Sequence, residues 1–141
     1  MSPRLLGTTA LAAVALTAAL PAADAAAPKR PSGTYESGKV LLSVAGGSIV
    51  LASFEFPCRR TTGRTSLNDV PVKRRRGRWR FSIRSAGSAT YADDHPDENV
   101  RITFRGRFSP SARTAAGTFV VNSPYCGRTR EISWTAPRST T

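Results

Sequence analysis

The sequence predicts an all-β protein, and three observations support that prediction. Along residues 99–108 apolar side chains alternate with arginines and threonines, which is the period-two pattern of a half-buried strand. Seven to eight short runs of strand-forming residues are separated by turn-forming residues, and no stretch after residue 27 has apolar residues at helical spacing. We therefore expect an antiparallel β-sandwich, jelly-roll or immunoglobulin-like, with a small β-barrel as the alternative.

The first 25 residues have the organisation of a Sec-type signal peptide. Arg4 supplies the positive charge, residues 5–20 are uncharged and rich in alanine and leucine, and Ala23 and Ala25 form an A-x-A cleavage motif. A transmembrane anchor is the alternative, but the apolar run is shorter than the roughly 20 residues needed to cross a bilayer. We predict cleavage after Ala25 and a secreted, extracellular mature chain without a transmembrane segment.

The rest of the chain has the length of one domain with short ends. Residues 26–32 contain proline and basic residues and are expected to form a flexible lead-in. The predicted β-sandwich domain spans residues 33–136, and residues 137–141 are expected to form a frayed tail.

The first half of the domain predicts a hairpin followed by a weaker strand. Residues 39–44 and 49–56 are apolar runs on either side of Gly46 and Gly47, and a Gly-Gly pair is typical of a tight hairpin turn. Residues 59–65 are polar and are expected to form a loop. Apolar residues at 67, 70 and 72 then mark a short strand.

The second half predicts four strands and one long irregular segment. Residues 79–84 alternate between apolar and polar side chains, with Trp79 in phase with the core positions. Residues 86–98 are expected to be irregular. Residues 99–122 predict two strands joined by a polar loop, and residues 130–135 predict the last strand.

Two cysteines, Cys58 and Cys126, lie in the mature part of the chain. An even number of cysteines in an exported protein predicts one intramolecular disulfide, with two free thiols or an intermolecular bridge as the alternatives. The bond would close a loop of nearly 70 residues. In the chain-entropy account, closing such a loop stabilises the folded state by about 4 kcal/mol. We expect a structural bond rather than a redox site.

Several short motifs resemble a group of small secreted actinobacterial β-sandwich proteins of unknown function. The motifs are G-T-Y at 33–35, F-E-F-P-C at 54–58, F-R-G-R-F at 104–108, A-A-G-T-F at 115–119, Cys126, and W-T-A at 134–136. The resemblance covers nearly the whole mature chain. It implies export, a paired cysteine and a β-sandwich, and it supplies no active site.

The formal net charge is +12, and loss of the signal peptide removes one arginine and one aspartate and so leaves it unchanged. A strong basic excess favours contact with polyanions such as nucleic acid, anionic lipid or an anionic cell-wall polymer. Most of the basic residues are arginine, however, and a chain rich in alanine, arginine, glycine and proline indicates a high-GC coding bias. Part of the charge therefore has a compositional explanation.

The densest basic run is K-R-R-R-G-R-W-R at 73–80. Arginine pairs with phosphate through two parallel hydrogen bonds, so this run is the candidate polyanion site. The alternative is a solvated hairpin loop with Gly77 in its turn and Trp79 pointing into the core. Arg101, Arg105 and Arg107 would extend the basic surface if the two strands share a face. The candidate residues are Lys73, Arg74, Arg75, Arg76 and Arg78.

The acidic run at 93–98 is a weak calcium candidate, because several carboxylates lie in one loop. Its candidate ligands are Asp93, Asp94, Asp97 and Glu98. The spacing is not that of an EF-hand, and a polar loop that offsets nearby arginines is the preferred interpretation. His95 is the only histidine, so a multi-histidine zinc site is excluded. We expect no cofactor and no metal.

Enzymatic interpretations have little support. A Ser-His-Asp triad could use only His95 as its histidine, and the sequence contains no G-x-S-x-G motif to supply the serine. A glycosidase needs two facing carboxylates, and the sequence does not single out a pair among Glu36, Glu55, Asp69 and Glu131. We therefore expect a secreted, non-catalytic extracellular or envelope-associated module that binds anionic polymers without specificity. A carbohydrate-binding module is the first alternative, and a small secreted hydrolase is the second.

Overall fold

A computed structural model of the chain describes Pro3 and residues 27–140. These residues form ten β-strands and no helix, so the all-β prediction is confirmed. The strands are β1 (Gly33–Glu36), β2 (Val40–Ala45), β3 (Ser48–Cys58), β4 (Thr61–Pro71), β5 (Lys73–Arg75), β6 (Arg78–Tyr91), β7 (Pro96–Phe108), β8 (Thr114–Ser123), β9 (Gly127–Arg128) and β10 (Ile132–Pro137).

All ten strands belong to one antiparallel sheet in the order β1-β2-β3-β4-β6-β7-β8-β10. The short strands β5 and β9 pair with β6 and β8. The sheet is not closed into a barrel, although one bridge between Tyr35 and Arg138 brings its two edges together at one end. This order is a meander, and the described strands show none of the crossovers that a Greek key contains.

The apolar face of the sheet forms a single core. Phe54 lies 4.7 Å from Phe104 and 5.0 Å from Phe119 between ring centroids, and Phe81 lies 4.6 Å from Phe104. All four rings are buried, as are the alternating residues of most strands. Because the core takes one face of each strand, the other face is left to solvent, and the arginines of β6 and β7 lie there.

Two glycines let aromatic rings lie flat against the middle of the sheet. Gly106 of β7 pairs with Gly117 of β8, with Phe81 and Trp134 as their partners on either side. A Cβ at Gly106 would lie 2.6 Å from the Phe81 ring, and one at Gly117 would collide with the backbone of Arg105. The Phe81 ring therefore lies against Gly106, and it stacks with the Trp134 ring at 6.2 Å with planes 19° apart.

Two segments expected to be irregular are strands. The predicted loop at 59–65 is wrong from residue 61 onward, where β4 begins. Its inward positions are Gly63, which lies under the Phe56 ring, and Thr65, whose hydroxyl donates to the Ser88 carbonyl at 2.8 Å. Because glycine and threonine occupy these inward positions, the segment lacks the alternation of apolar and polar residues that predicts a strand.

The predicted irregular segment at 86–98 is also wrong, because β6 continues to Tyr91 and β7 begins at Pro96. Only residues 92–95 lie between the two strands. The register shifts between Gly87 and Ala89. Such a bulge interrupts the alternation of side chains along the strand. The residues around it are small, so their sequence shows no clear alternation of apolar and polar side chains.

A disulfide joins Cys58 at the end of β3 to Cys126 after β8, with the Cα atoms 5.1 Å apart. The predicted pairing is therefore confirmed. Apart from Pro3, the predicted signal peptide lies outside the described residues. The described residues include no helix that could cross a membrane.

Both ends of the predicted domain contact the sheet. In the lead-in, the Lys29 amide donates to the Pro110 carbonyl at 2.9 Å, and Pro31 is buried. At the other end β10 runs to Pro137, and the Ser139 amide donates to the Thr34 carbonyl at 2.8 Å. The ordered pairing thus extends past the predicted boundary at residue 136.

Candidate functional site

The basic run folds as the β5–β6 hairpin. Its two-residue turn is Arg76-Gly77, and both residues are left-handed, with φ of 52° and 73°. A turn of this kind matches the twist of the paired strands. Because side chains alternate along a strand, the hairpin divides the run between its two faces. Lys73 and Arg75 share the solvent face with Arg80, whereas Arg74 lies opposite Trp79 on the other face.

The solvent face of β6, β7 and β8 forms a groove of about 580 Å³ beside this hairpin. Its floor carries the short side chains of Ser82, Ala116 and Thr118. We call it the basic groove, because five cationic side chains line it: Lys73, Arg75, Arg80, Arg105 and Arg107.

Most cations of the basic groove lack a carboxylate partner. The described residues contain two ion pairs, Arg64 with Glu55 and Arg105 with Glu131, each at 3.5 Å. Arg105 also donates from Nε to the Thr118 hydroxyl at 3.3 Å. The other four groove cations form no ion pair with a described residue, so the groove has a local excess of positive charge.

Arg80 and its neighbour Trp79 are both half-buried. The Arg80 Nε is enclosed and has no hydrogen-bond partner among the described residues. The Trp79 ring packs against the core, and its Nε1 donates to the Pro28 carbonyl at 3.3 Å. Trp79 therefore faces away from the basic groove, and the groove itself is lined without an exposed aromatic side chain.

A second cluster of charged and aromatic residues surrounds Tyr125, next to the disulfide. We call it the disulfide end, and its residues are Arg59, Tyr91, Asp93, His95, Asp97 and Tyr125. The His95 ring stacks on Tyr125 at 4.0 Å with planes 16° apart, and the Arg59 guanidinium lies 5.5 Å from the Tyr125 ring centre. The Tyr125 hydroxyl donates to Asp93 at 2.7 Å.

The polar groups of the disulfide end satisfy one another. The hydrogen bond between Tyr125 and Asp93 lowers the pKa of the Asp93 carboxyl and raises the pKa of the Tyr125 hydroxyl. Asp97 is buried and accepts hydrogen bonds from the Tyr91 hydroxyl at 3.2 Å and from the Tyr125 amide at 3.3 Å. Burial raises the pKa of the Tyr91 hydroxyl.

The four calcium candidates are not gathered around one point. Asp97 is turned into the protein and Asp93 is bound by Tyr125, while Asp94 and Glu98 are exposed. Within residues 27–140, no three histidine, cysteine, aspartate or glutamate side chains lie close enough together to hold a metal ion. Asp93 and Asp97 therefore act as hydrogen-bond acceptors within the protein.

Two of the four glycosidase candidates line a second groove, of about 550 Å³. These are Glu36 and Glu55, and Glu55 is already paired with Arg64. Glu131 lies beside the basic groove, where it binds Arg105, and Asp69 is an exposed residue of β4. The structure thus places Glu36 and Glu55 apart from the other two.

The basic groove overlaps only partly with the sequence-based candidates. Lys73 and Arg75 line it, and Arg105 and Arg107 extend it as expected if the two strands shared a face. The other candidates, Arg74, Arg76 and Arg78, do not line it. Arg80 was not among the predicted binding residues. Its position in the sequence could have indicated it, because side chains alternate along a strand and Arg80 therefore shares the solvent face with Ser82 and not the core face with Phe81.

Protein-family models, curated proteins and solved structures give no match to this chain. The resemblance to small secreted actinobacterial proteins therefore stays a prediction.

Proposed function

We propose that the protein is an exported, non-catalytic module that binds anionic polymers of the extracellular space or cell envelope through the basic groove. One observation carries the proposal: five cations from β5, β6 and β7 surround a single groove, and only Arg105 has a carboxylate partner among the described residues. An arrangement that concentrates positive charge without internal neutralisation favours an external anion.

The proposed binding is electrostatic. Arginine guanidinium groups pair with the oxygens of phosphate, sulfate or carboxylate groups, and a bound polymer releases its condensed counterions. The groove has no exposed aromatic ring on which a base or a sugar could stack. We therefore expect binding that depends on the charge of the polymer and has little preference for its sequence.

The alternatives receive less support. A carbohydrate-binding module favours a row of solvent-facing aromatic rings, and Val50 is the one large apolar side chain exposed in the described part of the chain. A hydrolase would use Glu36 and Glu55 at the second groove, where Arg64 already neutralises Glu55. No observation favours either alternative over binding at the basic groove.

Two triple variants with the same charge change test the proposal. The groove variant replaces Lys73, Arg75 and Arg107 with glutamine, and the control variant replaces Arg74, Arg84 and Arg101. The control residues are exposed and come from β5, β6 and β7, the strands that supply the groove cations, but they do not line the groove. Heparin binding is measured as a function of salt concentration for both variants and for the wild type.

We expect the log-log slope of affinity against salt to fall by about three in the groove variant, one for each lost contact, and by less than about one in the control. Salt-independent binding by the wild type would contradict the proposal. Equal loss in the two variants would do so too, because it would assign binding to total charge instead of the groove.

Export is the other part of the proposal, and it rests on the signal-peptide features of residues 1–25. The intact mass of protein recovered from culture medium should correspond to a chain that begins at Ala26. A mass that still includes residues 5–20 would contradict both export and the cleavage site.

A further inference from the structure

Three cations of the basic groove form a row across three neighbouring strands. Lys73 of β5 is the register partner of Arg80 in β6, and Arg80 is the partner of Arg107 in β7. All three line the groove. Since neighbouring strands are about 4.8 Å apart, the three side chains start within about 10 Å of one another. We call them the cation row.

The cation row combines three features that oppose stability. Like charges directly opposite one another on paired strands repel, and the row contains two such pairs in succession. None of its members forms an ion pair with a described residue. In addition, the Arg80 Nε is enclosed without a hydrogen-bond partner, which is unfavourable for a buried donor. Natural proteins concentrate unfavourable features of this kind at functional sites.

The geometry of the row favours one kind of anion. A carboxylate has two oxygens and a single charge, so one guanidinium fork satisfies it. A phosphate monoester has three terminal oxygens and close to two charges at neutral pH, and a sulfate ester likewise has three terminal oxygens. Three cations around one place can each bind a different oxygen of such a group. The short side chains of Ser82 and Ala116 leave the floor beside the row open for it.

Building on the proposed function, we propose that the cation row is a subsite for a tetrahedral oxyanion, a phosphate monoester or a sulfate ester carried by the bound polymer. The row then selects polymers with such groups over polymers that carry only carboxylates. Arg75 and Arg105 lie on opposite sides of the row, since Arg75 pairs with Arg78 and Arg105 pairs with Ser82. They add attraction that does not distinguish the two classes of polymer.

The test measures displacement of labelled heparin from the mature protein at constant ionic strength. The competitors are dextran sulfate, dextran phosphate that carries phosphate monoesters, and poly-glutamate, compared at equal concentrations of anionic groups. Pyrophosphate and citrate are compared as small anions, because they remove differences in chain length. We expect the sulfate and phosphate competitors to displace heparin at concentrations about tenfold lower than the carboxylate competitors, the effect of about one additional charge-assisted hydrogen bond.

Two single variants test whether the cation row causes this preference. Arg107→Gln removes a member of the row, and Arg101→Gln is the matched control, because Arg101 lies on the same strand and the same face but does not line the groove. We expect the tenfold preference to fall to about twofold or less in Arg107→Gln and to be retained in Arg101→Gln. Melting curves confirm that both variants are folded.

The outcomes separate this inference from the proposed function. If no polymer binds, or if binding is unaffected by the groove variants, both are overturned. If the polymers bind at the groove but carboxylate and sulfate competitors are equally effective, the proposed function stands and the subsite is wrong. Equal preference in Arg107→Gln and Arg101→Gln would also overturn the subsite. A preference for sulfate over phosphate, or the reverse, identifies which ester the row accepts.

Discussion

The basic groove and the disulfide end both contain several charged residues, but the two regions differ in whether those residues have partners within the protein. At the disulfide end, Asp97 accepts hydrogen bonds from Tyr91 and Tyr125, and Asp93 accepts one from Tyr125. In the groove, by contrast, four of the five cations have no ion-pair partner among the described residues. Charged groups with hydrogen-bond partners inside the protein stabilise the fold, whereas charged groups without such partners are available to a ligand. We infer a structural role for the first region and a binding role for the second.

Removal of the disulfide should produce the largest change in stability. The double variant Cys58→Ser, Cys126→Ser is expected to lose about 2–5 kcal/mol of unfolding free energy, since the bond spans 68 residues of sequence. Denaturant unfolding of the oxidised wild type and the variant measures this loss. Heparin affinity of the folded variant should not change, because neither cysteine lines the basic groove. A large loss of affinity at a temperature where the variant is folded would contradict the separate roles of the two regions.

The buried carboxylate of the disulfide end should give the next largest effect. Asp97→Ala leaves the Tyr91 hydroxyl and the Tyr125 amide without their acceptor, and we expect a loss of about 1–3 kcal/mol. Glu98→Ala is the control, since Glu98 is exposed on the neighbouring position and should change stability by less than about 0.5 kcal/mol. Similar values for the two variants would show that the hydrogen bonds of Asp97 do not stabilise the fold.

The disulfide end should also set the pH dependence of stability. Burial raises the pKa of Tyr91, so its contribution is complete below about pH 10, the ordinary tyrosine value, and is lost as the pH rises through the raised value. The lowered pKa of Asp93 acts in the opposite direction. Its contribution is present above the ordinary aspartate range and is lost as the pH falls through the lowered value.

Unfolding free energies measured across the pH range test both the predicted loss of stability in acid and the predicted loss of stability in alkali. Tyr91→Phe should reduce the loss of stability in alkali, and Tyr125→Phe should reduce the loss in acid, because it removes the hydrogen bond that lowers the Asp93 pKa. If the variants lose as much stability in acid and in alkali as the wild type does, the pH dependence is due to other groups.

Arginine substitutions in the groove should have the smallest effect on stability. Arg107→Gln removes one of two like-charged cross-strand pairs, so we expect the unfolding free energy to stay within about 0.5 kcal/mol of the wild type, or to rise. Denaturant unfolding at low salt measures it, with Arg101→Gln as the control. A loss of more than about 1 kcal/mol would show that Arg107 has a structural role and would weaken the contrast between the two regions.

The two regions also differ in how far the sequence predicts them. The disulfide was predicted from an even number of cysteines in a chain with a predicted export signal, and the strand hairpins were predicted from alternation and from turn residues such as Gly46 and Gly47. Both signals are local or independent of strand order. The weak calcium candidate was a local pattern as well, and there the structure uses Asp93 and Asp97 as hydrogen-bond acceptors.

The groove depends on information that is not local. Alternation along β5 separates Arg75 from Arg74, and this division can be read from the sequence once the strand is assigned. The pairing of Arg80 with Arg107 cannot, because it requires the strand order and the register between β6 and β7. The same limit explains the missed strand at residues 61–65, since the inward role of Gly63 is apparent only with the Phe56 ring above it.

The most direct test of the central claim is a titration of the isotope-labelled mature protein with a short sulfated heparin oligosaccharide, followed by backbone amide NMR. We expect the largest shift changes in the amides of residues 73, 75, 80–82, 105–107 and 116–118, which line the basic groove. The amides of residues 91–98 and 123–126, at the disulfide end, should change little. The opposite distribution, or uniform small changes over all exposed arginines, would contradict the assignment of binding to the groove.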